Sequence, residues 1–150
     1  LRQQLANIQG RARAWNMLYQ AGEEALAHTP GLKLIWRPKE ESYVGSSIQL
    51  LLLDWTPDRV ENLLARYASR GVELKWFGGK EPTGFTSRYD SWRYAPSSAM
   101  PKSDRVLAGV IDMRLPLTFS LEDCAVIGRI IRAEVGALYQ LADSAAQTAI

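Results

Sequence analysis

Cysteine and histidine are nearly absent, with one of each, Cys124 and His28, in 150 residues. A single thiol excludes an internal disulfide and a multi-cysteine zinc site, and points to a reducing, cytoplasmic setting. A single histidine removes histidine-based metal clusters and most ways of building a Ser-His-Asp triad. His28 lies in a His-Thr-Pro-Gly stretch that reads as a helix end and is expected to be structural, so no metal site is expected. Long apolar runs are missing too. The longest, the four leucines at 50–53, falls far short of the ~20 residues needed to cross a bilayer, and no signal segment opens the chain. Excess charge is also lacking: 18 Lys and Arg against 16 Asp and Glu leave +2, too little for a nucleic-acid groove or a polybasic membrane patch. No dinucleotide, nucleophile-elbow, HExxH or calcium-loop motif occurs, and Gly78-Gly79-Lys80 lacks the spacing and the following Ser or Thr of a phosphate loop.

What remains is an ordinary globular composition, 47% hydrophobic and 23% charged, at a length that suits one domain over 1–150. The chain starts at Leu1, without Met and directly in a helical pattern, and so reads as a piece of a longer polypeptide. Leu1, Leu5, Ile8, Ala12, Trp15, Tyr19, Gly22 and Leu26 recur at helical spacing, which predicts one long amphipathic helix ended by Pro30-Gly31. A short strand is expected at 32–36. A second is expected at 46–53, central in a sheet and covered on both faces. Thr56, Pro57 and Asp58 supply a cap, a first-turn proline and a first-turn acid for a helix that ends at Gly71. Alternation predicts strands at 72–76, with one wet face, and at 111–115, with a helical turn at 105–110. Ser120, Glu122 and Asp123 open a last helix whose apolar stripe is Cys124, Ile127, Ile131, Val135 and Leu138. The whole reads as an α+β fold, a small mixed or antiparallel sheet of three to four strands with helices mainly on one face and a long N-terminal helix.

Regular patterning is absent from the loop at 78–104, in which Phe85, Tyr89, Trp92 and Tyr94 are embedded. Such a loop serves as an interface or active-site element, or as an excursion tucked onto its own domain. Carboxylates show no pairing by spacing and read as solvated faces. Cys124, near a helix start, is either a dipole-activated thiol or an inert core thiol. Thirteen of the cations are arginine, whose planar guanidinium grips carboxylate or phosphate through two parallel hydrogen bonds. Arg88 and Arg93 flank Tyr89 and Trp92 in the loop, and Arg114 lies on the polar face of its strand. These three are the candidate substrate-binding residues, against the plainer reading of surface arginines or structural ion pairs.

The stretch MRLPLTFSLEDCAVIGRII at 113–131 carries a strand ending in Leu115, Pro116 and Leu117, then a capped acidic helix opened by Ser120, Glu122 and Asp123. It resembles the C-terminal signature of the DegT/DnrJ/StrS family of pyridoxal-phosphate aminotransferases. Residues 1–28 look like that family's connecting helix, and 46–77 like its strand, its helix ending in Arg70-Gly71-Val72, and its next strand. The resemblance implies the small C-terminal domain of a fold-type I enzyme that closes one side of the active site and shapes substrate selection. It implies a preceding large domain as partner, a homodimer in the full-length form, and a small-molecule substrate. Pyridoxal phosphate would belong to the full-length parent. Lys33, Lys39, Lys75, Lys80 and Lys102 match no Schiff-base position, so this chain alone is expected to carry no catalytic residue and to hold no cofactor. Where the family often has a histidine near the substrate, this chain has Trp76-Phe77-Gly78-Gly79, which points away from a sugar-nucleotide substrate. The alternative is a stand-alone α+β small-ligand-binding or regulatory module, because two helices on a small sheet serve many unrelated uses.

Overall fold

The computed structural model describes residues 6–81, 94 and 98–148, with side chains through 141. The long helix is present as α1 (Ile8–Leu26), followed by β1 (Leu32–Leu34) and β2 (Ser47–Leu52). Next come α2 (Pro57–Ser69), β3 (Lys75–Trp76), α3 (Pro101–Leu107), β4 (Val110–Arg114) and α4 (Leu121–Thr148). The four strands form one sheet, β1-β2-β4-β3, antiparallel at every pairing. The fold is therefore α+β, as the sequence predicts.

Helix α2 and the start of α4 follow their local signals, with one exception of detail. Thr56 precedes α2 as expected, but its hydroxyl makes no capping bond; its carbonyl accepts the Arg59 and Val60 N–H groups instead, both at 3.1 Å. At the other end Gly71 adopts φ +77°, and the Gly71 and Val72 N–H groups donate to Ala68 and Tyr67 carbonyls at 3.0 and 2.9 Å. This closing motif needs a left-handed residue just past the helix, which glycine adopts without steric cost. It also corrects the strand expected at 72–76. Because the Val72 N–H is committed to the helix end, ladder pairing begins only at Lys75, opposite Asp112. The start of α4 is a reciprocal cap: Ser120 Oγ accepts the Asp123 N–H at 3.1 Å, and Asp123 Oδ2 accepts the Ser120 N–H at 2.8 Å. The Ser120 N–H and then the Ser120 hydroxyl, which also donates to Asp123 Oδ2 at 2.8 Å, hold the Asp123 carboxyl below its ordinary value.

The sheet is covered by helices on one face. Ile48, Leu50 and Leu52 of β2 and Ile111 and Met113 of β4 are buried beneath α1, α2 and α4. The expectation that β2 is covered on both faces is corrected. Its position between β1 and β4 is central, but Ser47, Gln49 and Leu51 on the opposite face are only half-buried, because a strand sends alternate side chains to opposite sides and no described helix lies there. The buried face of α1 also begins later than the sequence stripe. Trp15 is half-buried and Leu18, Tyr19, Gly22 and Leu26 are buried, whereas Ile8 is exposed and Leu5 lies outside the described residues. Gly22 lets α1 approach β2, since a Cβ there would stand 2.5 Å from the Ile48 Cδ1. Helix α3 occupies part of what reads as loop at 78–104, starting at Pro101, with no buried residue. Most of that loop, with Arg88 and Arg93, lies outside the described residues.

One ion cluster fastens α2 to α4. Glu134, buried, accepts Arg66 Nε at 2.6 Å and Arg70 Nη1 at 2.8 Å, while Tyr67 between the arginines donates its hydroxyl to the Ile131 carbonyl at 3.3 Å. Burial keeps the Tyr67 hydroxyl protonated. The bonds from Arg70 and then Arg66 hold the Glu134 carboxyl below its ordinary 4.5. A depressed carboxyl contributes stability that is present above the unfolded value and lost as pH falls through the folded one. Glu134→Gln should therefore cost about 1–3 kcal/mol at neutral pH, with a smaller loss well below pH 4.5. Denaturant titrations at the two pH values check this, and an equal loss at both would remove the ion cluster from the account.

Candidate functional site

The face of the sheet that no described helix covers carries the candidate site, and alternation along the strands builds it. Register sets Gln49, Asp112 and Lys75 side by side across β2, β4 and β3, and puts Ser47 beside Arg114 one pleat along. Lys33 stands across from Leu51 on the same face. Among the described strand residues three cations stand against one carboxylate on this face, which favours an anionic ligand. Gln49 Nε2 donates to Asp112 Oδ1 at 2.7 Å and to Ser47 Oγ at 2.7 Å, which orients the carboxylate.

A cleft of about 530 Å³ opens here, lined by Trp15, Ser46, Ser47, Lys75, Phe77, Asp112 and Arg114, with Leu115 and Pro116 at its edge. Its walls are tied down from several directions. The Trp15 indole N–H donates to the Leu115 carbonyl at 2.9 Å, and the Leu115 N–H donates to the Ser46 carbonyl at 2.9 Å. The Phe77 N–H donates to the Val110 carbonyl at 3.0 Å, carrying the β3 pairing one residue past the strand. The Lys75 ammonium lies 5.1 Å from the centre of the Phe77 ring, and the Arg11 guanidinium 5.3 Å from the Trp15 ring. Arg114 is exposed and makes no hydrogen bond or ion pair with any described residue. Arg114 also borders a second cleft of about 370 Å³ shared with Gly71, Glu73 and Phe119.

Of the three arginines singled out from sequence, Arg114 stands in the cleft, while Arg88 and Arg93 fall outside the described residues. Lys75, Asp112, Trp15, Phe77 and the two serines were not singled out. The signal for Lys75 and Asp112 existed: each lies an even number of residues from others on the wet face of its strand. Cys124 is buried, and burial followed by the Asp123 charge pushes its thiol up, away from the activated thiolate. Among the described residues no group of three or more His, Cys, Asp or Glu could hold a metal ion, and no helix is long and apolar enough to cross a membrane.

No protein-family model matches the chain, and no curated protein matches its sequence. Solved structures do match. An aminotransferase, TlmJ from Streptoalloteichus hindustanus, superposes with a TM-score of 0.71 at 15% identity, over 90% of this chain and 34% of that one. DesI, solved with its TDP-sugar product, gives 0.69 at 14% identity over 93% of this chain and 35% of its own. 3-Amino-5-hydroxybenzoic acid synthase gives 0.69 at 15% identity, over 91% and 37%. At these identities the likeness is one of fold. The chain spans about a third of the length of the proteins it matches.

Proposed function

We propose that this chain is the C-terminal small domain of a pyridoxal-phosphate-dependent aminotransferase of the DegT/DnrJ/StrS type, which closes one side of the active site and shapes substrate selection. The observation that carries this is the fold shared with an aminotransferase over nine-tenths of the chain, with a guanidinium, Arg114, standing in the cleft on the uncovered sheet face. Arg114 holds a substrate carboxylate, and Arg88 and Arg93 are further candidates for the same task. The full-length protein is a cytoplasmic homodimer in which a preceding large domain holds the cofactor.

The described residues of this chain do not fit the cofactor. A Schiff-base lysine has to be desolvated in a preorganised site. Lys33, Lys39, Lys80 and Lys102 are exposed, and Lys75 lies half-buried on an open strand face. The 150-residue chain mixed with pyridoxal phosphate should therefore keep no cofactor through desalting and transfer no amino group; a stoichiometric visible absorbance band surviving desalting contradicts this. The coding frame upstream of Leu1 tests the wider proposal. A large α/β region with a candidate Schiff-base lysine there supports it, and an initiator codon directly before Leu1 favours the stand-alone module.

A further inference from the structure

We infer that the cleft selects a carboxylate attached to a planar ring, with Arg114 taking the carboxylate and Trp15 and Phe77 taking the ring. The inference deepens the proposed substrate-facing role of this cleft and rests on it for its biological meaning, though not for its test.

Three features converge. First, the described lining favours an anion: the Arg114 guanidinium stands there with Lys75, against one described carboxylate, Asp112, whose Oδ1 already accepts Gln49. Second, Arg114 is the group with donors to give, since it bonds to no described residue, and a guanidinium presents two parallel N–H groups to a carboxylate. Third, the apolar part of the lining is aromatic. The Trp15 indole is locked by its bond to Leu115 and has Arg11 5.3 Å from its ring centre. Phe77 is held in register by its bond to Val110. A ring fixed before a ligand arrives, as the Trp15 indole is, loses little freedom on binding, and the faces and edges of both rings favour another ring in stacked or edge-on geometry. A linear alkyl carboxylate satisfies Arg114 but leaves these ring surfaces without that partner. The opening, about 530 Å³, is within the range of small-ligand sites.

The test titrates the 150-residue chain with phenylacetate, cyclohexylacetate and phenylacetamide, followed by amide and indole chemical shifts. Phenylacetate should saturate, with shifts centred on the Trp15 indole and on Phe77, Lys75 and Arg114. It should bind more tightly than cyclohexylacetate by about 2- to 12-fold, the range expected for one aromatic contact, and phenylacetamide should bind more weakly than either. Arg114→Gln should lower affinity for both acids and keep their ratio. Phe77→Leu should reduce the ratio; it is the primary ring variant because Trp15→Leu also removes the bond to Leu115. Equal affinity for the two acids, no saturation, or shifts centred elsewhere overturns the inference. Ring-selective binding in a chain whose coding frame lacks a catalytic half would keep this inference and sink the aminotransferase reading. The converse pair of results would sink only the ligand class.

Discussion

Deleting residues 1–28 should leave a chain without a cooperative unfolding transition. Helix α1 supplies Leu18, Tyr19 and Leu26 to the core, each almost completely buried, and forms the main partner of α4. At about 1.5–3 kcal/mol for each large apolar side chain removed from water, the loss is roughly 5–9 kcal/mol, against a total of about 5–15 kcal/mol for a typical domain. The deletion also uncovers Ile48 and Met113, which line the approach of α1 at Gly22. Bonds beyond the core go with it: the Asn16 amide donates to the Tyr43 carbonyl at 3.0 Å and accepts the Gly45 N–H at 2.7 Å, clipping the segment before β2 to the helix. Circular dichroism during heating reads the outcome. A sharp transition near that of the intact chain would make α1 an appendage.

On the proposed reading, replacing Arg114 by alanine in the full-length protein should lower kcat/KM for an amino-acid substrate by about 10- to 150-fold, the equivalent of losing a charge-assisted hydrogen bond of about 1.5–3 kcal/mol. Stability should move by no more than about 0.5 kcal/mol, because the side chain is exposed and bonds to no described residue. Arg114→Lys keeps the charge and loses the planar fork, so it should recover only part of the loss. Wild-type kinetics for Arg114→Ala, or a variant that fails to fold, would each refute the assignment.

How much was legible beforehand depended on whether the signal was local. Helix α2 and the start of α4 could be read to within a residue or two because capping residues, a first-turn proline and a closing glycine lie within a few positions of those helix ends, whereas the run of α4 on to Thr148 carries no such signal. The length of β3 could not, because whether Val72 joins the ladder depends on competition between the helix end and the sheet for one N–H. The covering of β2 was misjudged because four consecutive leucines look uniformly apolar, while the pleat separates them by side. The cleft was the least legible part. Trp15, Ser47, Lys75 and Arg114 come from four separate stretches of chain; the strand register brings the last three together, and the packing of α1 with the indole bond to the Leu115 carbonyl adds Trp15. Trp15 read as core because its spacing fits the helix stripe, yet it is half-buried and its indole N–H reaches a carbonyl 100 residues away.

The strand order bears on how the chain comes off the ribosome. β2 finds its interior neighbour in β4, so Ser47 waits for Arg114 and Leu51 for Val110. At about 5–20 residues added per second, roughly 3–12 s separate the synthesis of these two strands, and α4 follows later still. During that interval the nascent chain holds Ile48, Leu50 and Leu52 with neither their sheet partner nor the C-terminal helix to cover them. β1 can pair with β2 early, being close in sequence, but a two-stranded hairpin is marginal in water. Completion of the sheet and its cover therefore waits for the synthesis of β4 and α4. A stop codon ahead of α4 would release a chain whose apolar sheet face and α1 have lost their largest cover, a substrate for chaperones and proteases rather than a shortened domain.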